Sequence, residues 1–253
     1  MLDQTTLAQL RQLRLQGFAQ ALQQQAEQPA THAMAFEERL ALLVDHEVHA
    51  RGDRKRARLL RDAQLKFPDA TIENANFDGL RGLDRKTLTS LALSGWVEQG
   101  ETILLSGSTG LGKTWLACAL AQYACRQGRS ALMLRMPRLA EELRVQHACG
   151  GFGKWLLQLA KIDVLVLDDW GTGVLDPSLR SDLLEIVDDR TTKKATIITH
   201  QLPVAHWHGW IGDVTLADAL LDRLLQRTHR FDLEGESRRT STKRPAAKAS
   251  KTP

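Results

Sequence analysis

No apolar run in the 253 residues approaches the roughly 20 needed to span a bilayer. The opening residues, Met1-Leu2-Asp3-Gln4, have neither the basic start nor the apolar core of a signal peptide. Membrane helices and secretion are therefore not expected, and the cytoplasm is the expected location. Cysteine is scarce as well. Cys118, Cys125 and Cys149 form no C-x-x-C pair and make an odd count, which argues against a disulfide framework or a zinc site. Cys118 and Cys125 stand seven apart on an expected helix, so both read as buried structural thiols. His206-Trp207-His208 has no supporting carboxylate or cysteine cluster and reads as a packed loop rather than a metal site. There is no zinc finger, RRM or other base-reading motif, and no internal repeat.

What is present is an ordinary soluble composition, 43% hydrophobic and 25% charged. The chain is long enough for one large α/β domain and a smaller module. Its net charge of +4 is unevenly placed. From Arg238 onward there are six basic residues and no acid, so the tail carries +6 and the rest of the chain −2. A second cluster, Arg51, Arg54, Lys55, Arg56, Arg58, Arg61 and Lys66, is opposed only by Asp53 and Asp62. Positive charge gathered in two short stretches points to an anionic polymer as partner.

The strongest motif is Gly107-Ser108-Thr109-Gly110-Leu111-Gly112-Lys113-Thr114, a complete G-x-x-x-x-G-K-[ST] phosphate loop. Ile103-Leu104-Leu105 before it reads as a buried strand, and Trp115 to Gln127 after it as a helix. In that setting the glycines let the backbone curl so that successive N–H groups converge on the β-phosphate. The following helix adds its positive end. Lys113 can reach between the β- and γ-phosphates, and the Thr114 hydroxyl is placed to ligate Mg²⁺. The chain is expected to bind ATP with Mg²⁺.

Residues 1–66 read as a helical module: Leu7, Leu10 and Phe18 recur at helical spacing, Pro29 and Thr31 break the run, and Phe36, Leu40, Leu43 and Val44 form an apolar stripe on the next helix. Phe67-Pro68-Asp69 stops that helix. Residues 67–84 read as a connector with Phe77 as an anchor, 85–239 as the ATPase domain and 240–253 as a disordered basic tail. The domain alternates strand and helix, with strands at 103–106, 131–135, 164–168, 195–199 and 230–233, the signature of a five-stranded parallel sheet flanked by helices. Helices are expected near 85–98, 113–127, 137–148, 178–190 and 215–228.

A second chemical signal is Val164-Leu165-Val166-Leu167-Asp168-Asp169. Four apolar residues suit a strand buried on both faces. The carboxylates stand at its C-terminal end, where open α/β sheets bind ligands. Asp168 is the natural partner of Mg²⁺, and Asp169 the candidate to orient or deprotonate the attacking water.

Together with the polar strand end Thr199-His200-Gln201, these features resemble an AAA+ ATPase core. Closer still, Phe36-Glu37-Glu38-Arg39-Leu40-Ala41-Leu42-Leu43, Asp168-Asp169-Trp170-Gly171, Gln201-Leu202-Pro203-Val204-Ala205-His206-Trp207-His208 and the stretch from Leu216 to Leu224 resemble the IstB family. Its members are ATP-dependent helpers of insertion sequences, related to the DnaC helicase loaders. The likeness runs from about residue 5 to Arg239. It implies a homo-oligomer, ring or helical filament, in which Arg223 enters a neighbour's nucleotide site to neutralise the γ-phosphate. Arg238 and Arg239 resemble a second sensing arginine acting within the subunit. Thr199 or His200 would replace the usual Asn or Ser of the first sensor. Asp169, where many AAA+ proteins carry Glu, fits a slow, switch-like ATPase. The resemblance further implies assembly on duplex DNA and recruitment of a DDE-type transposase. The basic helix and a loop carrying Lys154 would contact DNA phosphates. A helicase loader is the alternative, and a small-molecule kinase a more distant one.

Overall fold

The computed structural model describes residues 4–77 and 82–237. They divide into two compact units, the break falling after Leu59 inside a helix rather than at its end. In the first unit, α1 (Gln4–Gln12) and α2 (Gln16–Glu27) precede the long α3 (Phe36–Asp62). Of the expected stripe only Leu43 packs inward, together with Glu47, both 6% exposed. Phe36 is 70% exposed and Val44 49%. The reason lies at Gly17, where a Cβ would sit 2.6 Å from Ala50 Cβ, so α2 approaches α3 along the Leu43–Glu47–Ala50 side. Glu47 is held there by polar contacts. Its carboxylate accepts from the Phe18 N–H at 3.0 Å and from Arg51 Nε at 2.7 Å. Burial opposes its ionisation, but these contacts keep its carboxyl below the usual range.

The second unit opens with residues 60–75 packed on the sheet domain. Ala63, Ala70, Ile72 and Ala75 are buried, and the Met133 N–H donates to the Ala63 carbonyl at 2.9 Å. Then follow α4 (Arg85–Leu93), β1 (Thr102–Gly107), α5 (Lys113–Arg126), β2 (Ala131–Arg135), α6 (Met136–Ala148), α7 (Phe152–Ala160), β3 (Val164–Trp170), α8 (Pro177–Arg190), β4 (Ala195–His200), α9 (Trp207–Ile211), α10 (Val214–Leu225) and β5 (Thr228–Leu233). All pairings are parallel, in the order β2-β3-β4-β1-β5. Ile103 to Leu105, Val164 to Leu167 and Ile197 to Ile198 are at most 1% exposed, as strands covered on both faces require. Cys118 and Cys125 on α5 are fully buried against that sheet, while Cys149 is exposed.

Helices α4, α7 and α9 differ from the sequence expectation. Residues 152–160 form α7, so Lys154 stands on a helix and not in a loop. The Gly150-Gly151 pair ends one helix and starts the next. His206-Trp207-His208 lies across a short 3₁₀ turn and α9, with Trp207 fully buried. Helix α4 stops at Leu93, five residues before the expected end, because Gly95 turns at φ 78°. Among the described residues no helix is long and apolar enough to cross a membrane.

Candidate nucleotide site

The phosphate loop leaves the C-terminal end of β1 and enters α5, with Gly107, Gly110 and Gly112 at φ 134°, 92° and 92°. At Gly107 a Cβ would lie 2.4 Å from the Leu233 carbonyl oxygen, and at Gly110 one would lie 2.0 Å from Ser237 Oγ. Only glycine fits this backbone between β5 and the chain that follows it. Lys113, 8% exposed, donates from Nζ to the Gly107 and Ser108 carbonyls at 2.6 and 2.9 Å, which keeps the ammonium inside the loop. Thr109 Oγ1 reaches Gln201 Oε1, 2.7 Å away at the end of β4. Thus the loop is tied to the end of the adjacent strand at the binding edge.

Asp168 and Asp169 lie at a bulge, where the β3–β4 register shifts between Leu167 and Trp170. The bulge sends the two carboxylates in different directions. Asp168 is fully buried, and its Oδ1 accepts from Thr114 Oγ1 at 2.8 Å and Thr199 Oγ1 at 2.6 Å. Its Oδ2 is buried with no hydrogen-bond partner; the nearest cation is Arg135 Nε, 4.0 Å away. Asp169 adopts φ 61°, its N–H donates to Thr199 Oγ1 at 3.1 Å, and its carboxylate is partly exposed. Arg135 Nη2 and Nε both donate to Asp169 Oδ2, at 2.8 and 3.2 Å. That pairing raises the guanidinium's pKa further.

The orphaned oxygen of Asp168 beside the Thr114 hydroxyl suits a hard cation that takes oxygen ligands and keeps several waters, as Mg²⁺ does. An unpartnered buried carboxylate oxygen is costly unless a ligand meets it. The donor set therefore fits the metal expected from the sequence.

Of the two strand-end candidates, the fold brings Thr199 to the carboxylates and not His200. His200 is 2% exposed, its Nδ1 hydrogen faces the Leu202 carbonyl at 2.9 Å, and its ring meets Trp207 edge-on at 4.9 Å. Since a carbonyl only accepts, Nδ1 carries the proton. Burial lowers the ring's pKa and keeps it neutral.

Arg223 lies on α10, away from its own loop. Its Nε pairs with Asp188 on α8, and Nη1 donates to the Ala219 carbonyl at 2.8 Å. It lines a cleft with Thr102 and Thr196, at the N-terminal ends of β1 and β4. The phosphate loop begins at the other end of β1, roughly 17 Å along the strand. Of the basic cluster, Arg51, Arg54, Lys55, Arg56, Arg58 and Arg61 are all exposed on α3. Arg51 and Arg54 share Glu47, and Arg56 and Arg61 pair with Asp53 and Asp62. Arg238 and Arg239 lie outside the described residues, although Ser237 before them touches the loop at Gly110. Arg135 escaped the sequence reading. The signal was there, as an ionisable residue closing a parallel strand at the ligand edge.

A sequence profile described as IstB-like ATP binding protein matches residues 8–246. The chain belongs to this family. An ATP-binding protein of insertion sequence IS1162 from Pseudomonas fluorescens is 51% identical over 203 residues, 80% of this chain and 88% of its own. An insertion-sequence ATP-binding protein of Sinorhizobium fredii is 41% identical over 96% of this chain and 99% of its own. Among solved structures, the DnaC helicase loader superposes with a TM-score of 0.52 at 20% identity, covering 66% of this chain and 97% of that one. The fold of the second unit is accordingly that of a P-loop AAA+ domain. This IstB-like chain is an ATP-binding member of an insertion-sequence helper family.

Proposed function

We propose that the protein is an ATP-switched helper of transposition. It assembles on duplex DNA, bends it, recruits a DDE-type transposase, and disassembles when ATP is hydrolysed. The observation that carries this reading is the separation of Arg223 from its own phosphate loop by the length of the sheet. An arginine so placed cannot complete its own site, whereas a head-to-tail neighbour can use it.

In the hydrolytic step, loop N–H groups and Lys113 hold the β- and γ-phosphates. Thr114 and Asp168 would hold Mg²⁺, which would supply charge neutralisation at the phosphates. Asp169 accepts a proton from the attacking water as its oxygen bonds to the γ-phosphorus and the bond to the ADP oxygen breaks. Thr199 holds the Asp169 backbone and the Asp168 carboxylate in register. Arg223 of the adjacent copy neutralises the transferred phosphoryl, an effect of about 10³–10⁵ in rate in related NTPases. Exposed cations on α3 and Lys154 on α7 contact DNA phosphates, so binding weakens steeply with salt and reads little sequence.

The fold likeness to a helicase loader favours a second reading, in which single-stranded DNA and a helicase are the partners. One experiment separates them. The protein is imaged and sedimented with a non-hydrolysable ATP analogue on duplex and on single-stranded DNA, beside Lys113→Ala. Nucleotide-dependent oligomers on duplex, lost in Lys113→Ala, are expected. Assembly on single strands alone favours the loader, and assembly indifferent to Lys113→Ala sinks the nucleotide bridge.

A further inference from the structure

Between α6 and α8 lies a cleft of about 190 Å³ that the nucleotide site does not use. For scale, an apolar cavity of about 150 Å³ admits benzene. Leu143 and Leu179, 1% and 5% exposed, supply its apolar wall, and four ionisable side chains line the rest: Arg144, His147, Asp176 and Asp182. With His147 counted as neutral, two carboxylates stand against one guanidinium, so the lining is net negative.

Asp182 is the member short of partners. It is 6% exposed, and the one hydrogen-bond donor it meets among the described residues is His147 Nε2, 3.0 Å from each carboxylate oxygen. A carboxylate only accepts, so Nε2 carries the hydrogen. That single hydrogen is split between two oxygens with room for about four. Phe152 stacks on the imidazole at 4.2 Å and 17°, which holds the ring to this task. Arg144 pairs instead with Asp176 at 3.1 Å, where both side chains are largely exposed.

A buried carboxylate short of donors, beside an apolar wall, suits a cation carried on an aliphatic stem. Lysine and arginine lay their methylenes on apolar surface and bring several donors at the head. A phosphate would meet two carboxylates here, so the cleft does not suit nucleic acid. We infer that this cleft docks the chain's own basic tail, through Lys243 or Arg244.

Placement favours the chain's own tail over other cations. Ser237 meets the loop at Gly110, after β1. Helix α8 follows β3, and so starts from the same edge of the sheet. Two strand spacings separate β3 from β1, roughly 10 Å. The six residues from Ser237 to Lys243 span up to roughly 20 Å when extended, before the side chain adds its own length. Lys243 and Arg244 are the first bases after Arg238 and Arg239, and no acid follows them. A tethered side chain also meets its site at a far higher effective concentration than a free one.

The test uses Cys149, exposed and two residues from His147, while Cys118 and Cys125 are buried. A nitroxide is attached there on the full chain, without nucleotide or DNA, and the tail's amide signals are compared with those of a diamagnetic control. Lys243 and Arg244 are expected to lose intensity, and Lys251 and Thr252 to keep most of theirs. Lys243→Gln combined with Arg244→Gln restores the signals around them, and Asp182→Asn does the same. The tail variant leaves the cleft's own residues in place, so it decides the matter if Asp182→Asn does not fold. Broadening that is even along the tail, or that survives the tail variant or a folded Asp182→Asn, overturns the inference. Mixing spin-labelled chains with unlabelled chains enriched in nitrogen-15 separates the sources. Broadening of equal size in that mixture assigns a neighbour's tail and overturns the docking within one copy. Tail signals untouched by the label overturn it as well. Amide shifts at Leu143 and His147 on adding agmatine would then mark a cation site with another occupant.

Discussion

Thr199 Oγ1 donates to Asp168 Oδ1 at 2.6 Å and accepts the Asp169 N–H at 3.1 Å. One hydroxyl on β4 therefore holds the Asp168 carboxylate and the Asp169 backbone, both within the β3 bulge. This makes Thr199 the positioning residue of the site and relieves His200 of that task.

Thr199→Val keeps the volume and removes both bonds. A buried carboxylate oxygen and a backbone N–H lose a partner, so urea unfolding is expected to show a loss of about 1–3 kcal/mol. ATP hydrolysis on DNA falls with it. Unchanged stability and unchanged hydrolysis together would mean that the bond is not made.

Arg135→Ala tests the grip on Asp169. Two guanidinium N–H groups hold Asp169 Oδ2, the oxygen a water would use. Freed of them, the carboxylate accepts water instead, and hydrolysis without DNA is expected to rise by about two- to tenfold. Asp169→Asn abolishes hydrolysis in either background. A slower Arg135→Ala enzyme would show that the guanidinium serves the reaction rather than restraining it.

Arg190→Met keeps the packing but takes a donor from three carbonyls, of which that of Leu159 still accepts the Ile162 N–H. The expected loss is about 1–3 kcal/mol, the cost of a buried acceptor left short of a partner. A urea midpoint within error of the parent would refute the account of a buried hub.

Thiol reactivity follows burial. Burial pushes the Cys118 thiol up, and the Cys125 thiol up to about 11. Neither supplies thiolate at pH 8, and Cys149 is exposed. Disulfide-exchange titration of the native protein at pH 8 is expected to find one fast thiol, and three after denaturation. Three fast thiols in the native state would contradict the packing of α5.

Much of the fold was legible in the sequence because its signals are local. The phosphate loop, the apolar strand before Asp168 and the strand–helix alternation each declare themselves within a few residues, and the five expected strands lie where the sheet has them. The stripe at Phe36, Leu40 and Val44 misled because helical periodicity shows that a face is apolar, not what covers it. The face that packs is set by Gly17 against Ala50, a contact far apart in sequence. Helix α7 was hidden by the glycines at 150, 151 and 153, which read as a loop.

Residue types and order alone determined that this chain binds a nucleoside triphosphate, since a G-x-x-x-x-G-K-T loop between a buried strand and a helix has one physical use. The tertiary structure decided which neighbours that loop has. Parallel pairing sets β3 between β2 and β4, and so brings Arg135 and Thr199 to the same pair of aspartates from either side. It also places Arg223 with Arg227 and Lys194 at the far end of the sheet. Those distances come from strand order and register, which arise from packing across the whole domain and from no single stretch of sequence.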